Sequence, residues 1–199
     1  MGRISAEERA QVRARLLQTA AEHFALHGYD GASINRISVA AGYAKGTIYG
    51  YFDSKAALFE AVLALGSEST VALFRRMDVA PGIRAELHAL ACADIKLVQK
   101  HEAFAKVLVS EYIRNREETR ELVDRGNAPL LKEVARLLRR AKRAEEVSSR
   151  LSAVKLARLF CMQLSLLYVE YWRSGTPSWD DMPDVLIELF LDGVYRRSN

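Results

Sequence analysis

The sequence predicts an all-α protein. Apolar residues recur at intervals of three and four along most of the chain, the spacing that lines one face of a helix. No stretch shows the strict apolar–polar alternation of a half-buried strand. Only 11 glycines and 4 prolines punctuate 199 residues, too few for a turn-rich all-β chain. Half of the residues are hydrophobic, enough for a substantial core, and the length suits one large domain or two small ones.

Val12, Leu16, Ala20 and Phe24, with Leu17 and Ala21 beside them, form the apolar face of a first helix from about Ala6 to His27. Gly28 stands where a helix stop belongs, and Tyr29-Asp30-Gly31 reads as a turn. Ser33 is a suitable N-cap for a short second helix, Ile34 to Ala41, with Ile34 and Ile37 on one side. Gly42 interrupts, and a third helix is expected from Lys45 to Tyr51. Asp53-Ser54 caps a fourth, from Lys55 towards Met77, which buries Ala57, Leu58, Ala61, Val62 and Leu65. After the linker Asp78 to Gly82, helices are expected over about Ile83 to Lys100 and Glu102 to Ile113. The segment Glu117 to Arg143 contains Pro129, which kinks a helix, starts one or ends one. Two last helices are expected over about Leu151 to Arg173 and Asp180 to Arg197, making about nine.

Composition bounds the function. A formal net charge of +4 permits nucleic-acid binding without arguing for it. Cys92 and Cys161 are too few for a disulfide framework and suit a reducing compartment. Arg3, Glu7, Glu8, Arg9, Arg13 and Arg15 leave no room for the apolar core of a secretory signal. The longest charge-free apolar run, Leu159 to Val169, is eleven residues and includes Gln163 and Ser165, where a membrane span needs about twenty. A soluble cytoplasmic protein is expected.

The stretch Ser33 to Tyr51 carries the chemistry. Two short helices meet at Ala41-Gly42-Tyr43, where a glycine takes the positive φ that a tight turn needs and a small alanine lets the helices cross closely. Ile37 before the turn and Ile48 after it can share a core. This is the pattern of a helix-turn-helix, whose second helix enters the DNA major groove. That second helix is rich in groups that suit DNA and poor in core residues. Lys45 reaches a phosphate or a guanine edge, and Thr47 offers a hydroxyl to a base or a methyl to thymine. Gly46 admits close backbone approach, and Tyr49 donates its hydroxyl to phosphate. Lys55 adds positive charge to the exposed N–H groups of the following helix, a phosphate site. Residues 1–55 hold seven Lys and Arg against five Asp and Glu, so any basic surface must come from placement. Arg3, ahead of the first helix, reads either as an arm to the DNA or as a solvated tail.

The run from Ser33 to Leu58, and above all Lys45-Gly46-Thr47-Ile48-Tyr49 with Tyr51-Phe52, Ser54-Lys55 and Leu58, resembles the DNA-binding signature of the tetracycline-repressor (TetR) family. The likeness covers about residues 10–60. It implies a homodimeric, all-helical, ligand-responsive transcriptional regulator, usually a repressor. By that resemblance Ser33, Lys45, Gly46, Thr47, Tyr49 and Lys55 fall on positions that commonly meet DNA, and Asn35 on one that sometimes reads a base. Ser38 stands where the family usually has Ala, Tyr43 where it has Val, Ala44 where it has a Ser or Thr cap, and Gly50 where it has a larger residue. These departures bear on the operator sequence and not on the class. A division into a reading head, residues 1–54, and a ligand-binding and dimerisation domain, residues 55–199, follows.

From Leu159 to Val169 apolar residues point in nearly every direction, so this helix needs cover on two sides. A second subunit supplies it most simply. Leu159, Met162, Leu166 and Leu167 are the expected contacts, with Leu186, Leu189, Phe190 and Gly193 from the last helix, in an isologous four-helix interface. The alternative is burial inside one monomeric domain. Two paired reading helices about 34–36 Å apart require a near-palindromic operator. Candidate effector-pocket residues are Phe74, Met77, Phe104, Leu108, Tyr112, Phe160, Met162, Tyr168 and Trp172, which suggest an apolar or aromatic ligand. His88 and Cys92 share a helix face, with His101 as a possible companion, but their spacing secures no third metal ligand. The basic cluster Arg136, Arg139, Arg140, Lys142 and Arg143 reads as a solvated helix face. No residues are selected for a cofactor, and no phosphate-cradling loop or nucleophile elbow argues for an enzyme. A DNA-binding architectural protein without a ligand is the competing reading.

Overall fold

The computed structural model describes residues 5–192, and among them all regular structure is helical. In chain order the helices are α1 (Ala6–Gly31), α2 (Ile34–Ala40), α3 (Lys55–Phe74), α4 (Ile83–Lys100) and α5 (Glu102–Arg114). They continue as α6 (Glu117–Gly126), α7 (Ala128–Arg143), α8 (Ala153–Ser174) and α9 (Met182–Ile187). A 3₁₀ turn, Thr47–Gly50, separates α2 from α3, and a π turn, Glu188–Asp192, follows α9. Arg3 and Gly193, both singled out in the sequence, lie outside the described residues.

The chain packs as two compact units, one of Met1–Gly66 with Ala103–Gly126 and one of Ser67–Glu102 with Asn127–Asn199. This grouping differs from a division at residue 54. The reason is nonlocal: Val107, Leu122 and Val123 return to join the core of the N-terminal helices.

In the first unit α1 starts on a capping box. The Ser5 hydroxyl accepts from the Glu8 N–H at 3.0 Å, and the Glu8 carboxylate accepts from the Ser5 N–H at 2.7 Å. Leu16, Leu17, Ala20, Ala21 and Phe24 are buried as their spacing requires. Phe24 and Tyr29 each pack edge-on against Phe59 at 5.0 Å. The helix breaks at Gly28, whose φ of 69° and ψ of 177° belong to a region that essentially only glycine populates. The Arg114 guanidinium fills the space a side chain there would take. Gly28→Ala is therefore expected to cost at least about 1–3 kcal/mol in backbone strain alone; a chemical denaturation midpoint equal to that of the parent would contradict this.

Two local expectations need correction, and one open alternative is resolved. The segment Lys45 to Tyr51 is not a full α-helix but the 3₁₀ turn, because Gly46, at φ 91°, puts left-handed backbone where helical bonding would begin. Ser33 takes the N-cap position of α2 with extended backbone, yet its hydroxyl makes no capping bond. Glu117 to Arg143 is two helices: α6 ends at Gly126, and Pro129 lies in the first turn of α7, where its missing N–H has no intrahelical partner to lose. By length and composition α3 resembles a membrane span, but it contains Glu60 and Glu68 and buries Leu58, Phe59, Val62 and Leu63 in protein.

In the second unit α7 turns Leu130, Val134, Leu137, Leu138 and Ala141 inward. Its buried Glu133 is held by Arg75 at 2.9 Å and Arg136 at 2.8 Å. Arg140 pairs with Glu86, and the Lys142 ammonium donates to the carbonyls of Ser149 and Leu151, so much of the basic cluster serves local structure.

Candidate nucleic-acid interface

The turn between α2 and the 3₁₀ turn is built from its backbone. Gly42 has φ 87°, and a Cβ there would meet only Arg15 at an ordinary 3.5 Å, so conformation and not space demands glycine. Ile37 and Ile48, on either side, are fully buried in the same core. The buried Ser38 hydroxyl donates to the Ala44 carbonyl at 2.7 Å and ties the loop to α2. Ser38→Ala would leave that carbonyl with only the Thr47 N–H at 3.0 Å and is expected to cost about 1 kcal/mol, read as a lowered melting temperature; no loss would show that the bond contributes nothing.

With Ile48 held inside, its neighbours are held outside. Lys45 is exposed, Tyr49 is 52% exposed, and Gly46 and Thr47 are half-buried. A Cβ added at Gly46 or Gly50 would meet nothing within 4 Å, so this backbone is open to approach. Asn35 is exposed on α2 and Ser33 half-buried at its start. The structure thus brings an ammonium, a hydroxyl and a phenol onto one short surface turn. Those groups suit phosphate oxygens and base edges.

Lys55 sits differently. Its ammonium donates to the Asp30 carbonyl at 2.9 Å and lies 4.8 Å from the Tyr29 ring centroid, and burial lowers its pKa. It braces the turn after Gly28 as well as carrying charge at the start of α3.

Two residues escaped the sequence reading. Arg9 donates to the Gly50 carbonyl at 2.9 Å and stacks over Tyr51 at 5.0 Å, and Arg13 stacks over Phe52 at 5.3 Å. The signal was present: two arginines four apart on α1 and two adjacent aromatics after the turn. Val39, 52% exposed, and exposed Arg36 add to the α2 surface.

The nine nominated pocket residues divide between the two units. Phe104, Leu108 and Tyr112 belong to the first unit, where Phe104 and Leu108 pack against its core. Phe74, Phe160 and Tyr168 are buried in the second unit and Trp172 is half-buried, whereas Met77 is exposed. Met162, 53% exposed, points outward from α8. An open cleft in the second unit, between Pro81–Ala85, His88, Glu146–Ser149 and Ile187–Asp192, uses none of the nine. At its edge His88 meets Cys92 at 3.6 Å and Asp184 at 3.2 Å. Among the described residues no three His, Cys, Asp or Glu side chains form a metal-binding group.

Of the nominated contact residues, Leu159, Met162 and Leu166 form an exposed stripe along α8, and Leu189 is exposed in the π turn. Leu167 and Phe190 are half-buried, with Phe190 edge-on to Phe160 at 5.2 Å. Leu186 is fully enclosed in its own unit, because it lies on the inner face of α9.

Residues 16–62 match the family model of bacterial regulatory proteins, tetR family. No curated protein matches the chain by sequence. Among solved structures, the fatty acid degradation regulator FadR of Bacillus halodurans superposes with a TM-score of 0.78 at 21% identity, over 93% of this chain and 97% of that one. FadR of Bacillus subtilis, solved with stearoyl-CoA, gives 0.76 at 16% identity, over 92% and 99%. AibR, solved with isovaleryl coenzyme A and operator DNA, gives 0.66 at 18% identity, over 90% and 98%. At these identities the superpositions establish the fold.

Proposed function

We propose, from the match of residues 16–62 to the family model of bacterial regulatory proteins, tetR family, that the chain is a cytoplasmic transcriptional repressor. It binds a near-palindromic operator as a homodimer and is released by a small effector with a largely apolar body. It is a regulator and not an enzyme. The observation that supports this best is the exposure of Lys45 and Tyr49, with half-buried Thr47 between them, on a turn anchored by buried Ile48.

The α8 stripe of Leu159, Met162 and Leu166 favours pairing, because a solvated protein rarely leaves contiguous apolar surface uncovered. Pairing fixes the spacing of two reading turns and therefore the symmetry of the DNA. An effector seated in the second unit shifts that spacing only by binding one shape better than the other. Two similar structures hold acyl-coenzyme A molecules of very different acyl length, which makes the apolar body the first feature to test.

Selection of bound DNA from a random pool is expected to enrich a palindrome. A pool without sequence preference would instead support the architectural reading. On the selected site, Lys45→Ala is expected to weaken binding by about 1–3 kcal/mol if it reads a guanine, and by less if it meets phosphate. Tyr49→Phe should weaken binding by about 1 kcal/mol through one lost hydrogen bond. Fluorescence anisotropy with unchanged affinity in both variants would remove this turn from the contact surface.

A further inference from the structure

The second unit holds a carboxylate that differs from the other buried acids of the chain. Glu133 is ringed by Arg75 and Arg136, and Glu111 by Arg116 and Arg114. Asp94, on α4, has neutral partners among the described residues. One oxygen accepts from the Thr70 hydroxyl of α3 and the other from the Tyr168 hydroxyl of α8, each at 2.6 Å.

The thiol and the phenol beside Asp94 stay neutral, although the Arg158 charge also acts on Cys161. Burial and the nearby Asp94 charge push the Cys161 thiol up to about 12 and the Tyr168 phenol well above its usual range, so both keep their protons. The Asp94 carboxyl itself is raised, first by loss of solvent. A carboxylate has about four acceptor positions, and the two hydroxyls use two of them. Asp94 is deep yet not closed off, because part of its surface remains accessible.

Aromatic faces stand next to this group. Tyr168 lies 6.0 Å from Trp172 and 5.9 Å from Trp179, ring centre to ring centre, and Trp179 packs 4.1 Å from Tyr171. Trp172 also donates its indole N–H to the Glu102 carboxylate at 3.2 Å, which brings a second acid to the same rings. Aromatic faces and carboxylates attract cations through the ring quadrupole and through charge, and repel anions by the same means. A buried anion without a counter-charge is costly, and a bound ammonium would relieve that cost.

We propose that Asp94, flanked by Tyr168 and Trp172, binds the head group of the effector, and that this head group is a protonated amine carried on an apolar body. The inference rests on the reading of the second unit as effector-binding, and it names the chemistry of that effector. Anionic head groups such as carboxylates are then selected against at this end of the site.

The test uses three probes that share one apolar body: 4-phenylbutylammonium, 4-phenylbutanol and 4-phenylbutyrate. Each is titrated calorimetrically into the full chain near neutral pH, and into Asp94→Asn. The ammonium is expected to bind the parent about tenfold tighter than the alcohol, with the carboxylate weakest, and Asp94→Asn is expected to lose that order. The proposal is overturned if the carboxylate binds as well as the ammonium, if the order survives in Asp94→Asn, or if none of the three binds. The order in the parent decides the matter even where the variant fails to fold. Operator affinity, measured by anisotropy on the same samples, keeps the two readings apart. A chain that binds operator but ignores head-group charge loses only this inference. A chain with the head-group preference and no operator loses the regulator reading alone.

Discussion

Leu166→Glu is expected to convert the proposed dimer into folded monomers and to lower operator affinity by ~10²–10⁴-fold, the avidity of two linked reading heads. Leu159, Met162 and Leu166 follow one another at intervals of three and four on α8, and Leu166 is 63% exposed within its own chain. A carboxylate there disturbs little of the monomer. In a two-fold interface it appears twice, and each copy loses water against apolar surface without a counter-charge, at a cost of several kcal/mol. Sedimentation velocity should show the monomer, and the melting transition should remain cooperative. A variant that still sediments as a dimer would place the interface elsewhere. Leu186→Glu provides the contrast. That residue is fully enclosed, so the same substitution is expected to unfold the chain and not merely divide it.

These two leucines show what was legible in the sequence and what was not. The apolar excess of Leu159 to Val169 announced a helix needing cover on two sides, and the outward face of α8 is indeed apolar. The pattern did not say which residues of the last helix turn inward, because six helical residues before a π turn carry too little periodicity. Gly28 and Gly42 were legible because backbone sterics act locally, and both have positive φ. The shape of Lys45 to Tyr51 was not. Seven residues cannot separate a 3₁₀ turn from an α-helix by spacing, and the deciding feature is the backbone angle at Gly46. The return of Ala103–Gly126 to the N-terminal helices was hidden for another reason. Val107, Leu122 and Val123 mark an amphipathic segment, and amphipathicity does not name the surface it will cover. Asp94 was passed over because a single acid within an apolar helix face has no pattern; its meaning comes from Thr70 and Tyr168, 24 and 74 residues away.

Glu111→Ala is expected to cost about 3 kcal/mol in folding stability, the largest loss from any single polar side chain in the first unit. Glu111 is buried, and its carboxylate accepts from the Thr119 hydroxyl at 2.7 Å and the Arg116 guanidinium at 3.1 Å, with Arg114 at 3.7 Å. Arg116 also pairs with Asp30 in the turn after the break, and Arg114 fills the place beside Gly28. One acid on α5 therefore holds two arginines against the end of α1. Its loss removes the shared acceptor of both cations and leaves Arg116 only Asp30, and the Nε of Arg116 is already buried without a partner. The figure sits at the lower end of the range for a broken buried pair because Arg114 and Arg116 are 46% and 27% exposed and keep some water. Urea denaturation gives the measurement, and a midpoint equal to the parent's would show that the cluster adds no stability. Glu111→Gln divides the effect into its causes. It keeps an acceptor for Thr119 and removes the charge, so a loss equal to that of Glu111→Ala assigns the effect to the arginines. A loss of about 1 kcal/mol or less assigns most of it to shape and the hydrogen bond.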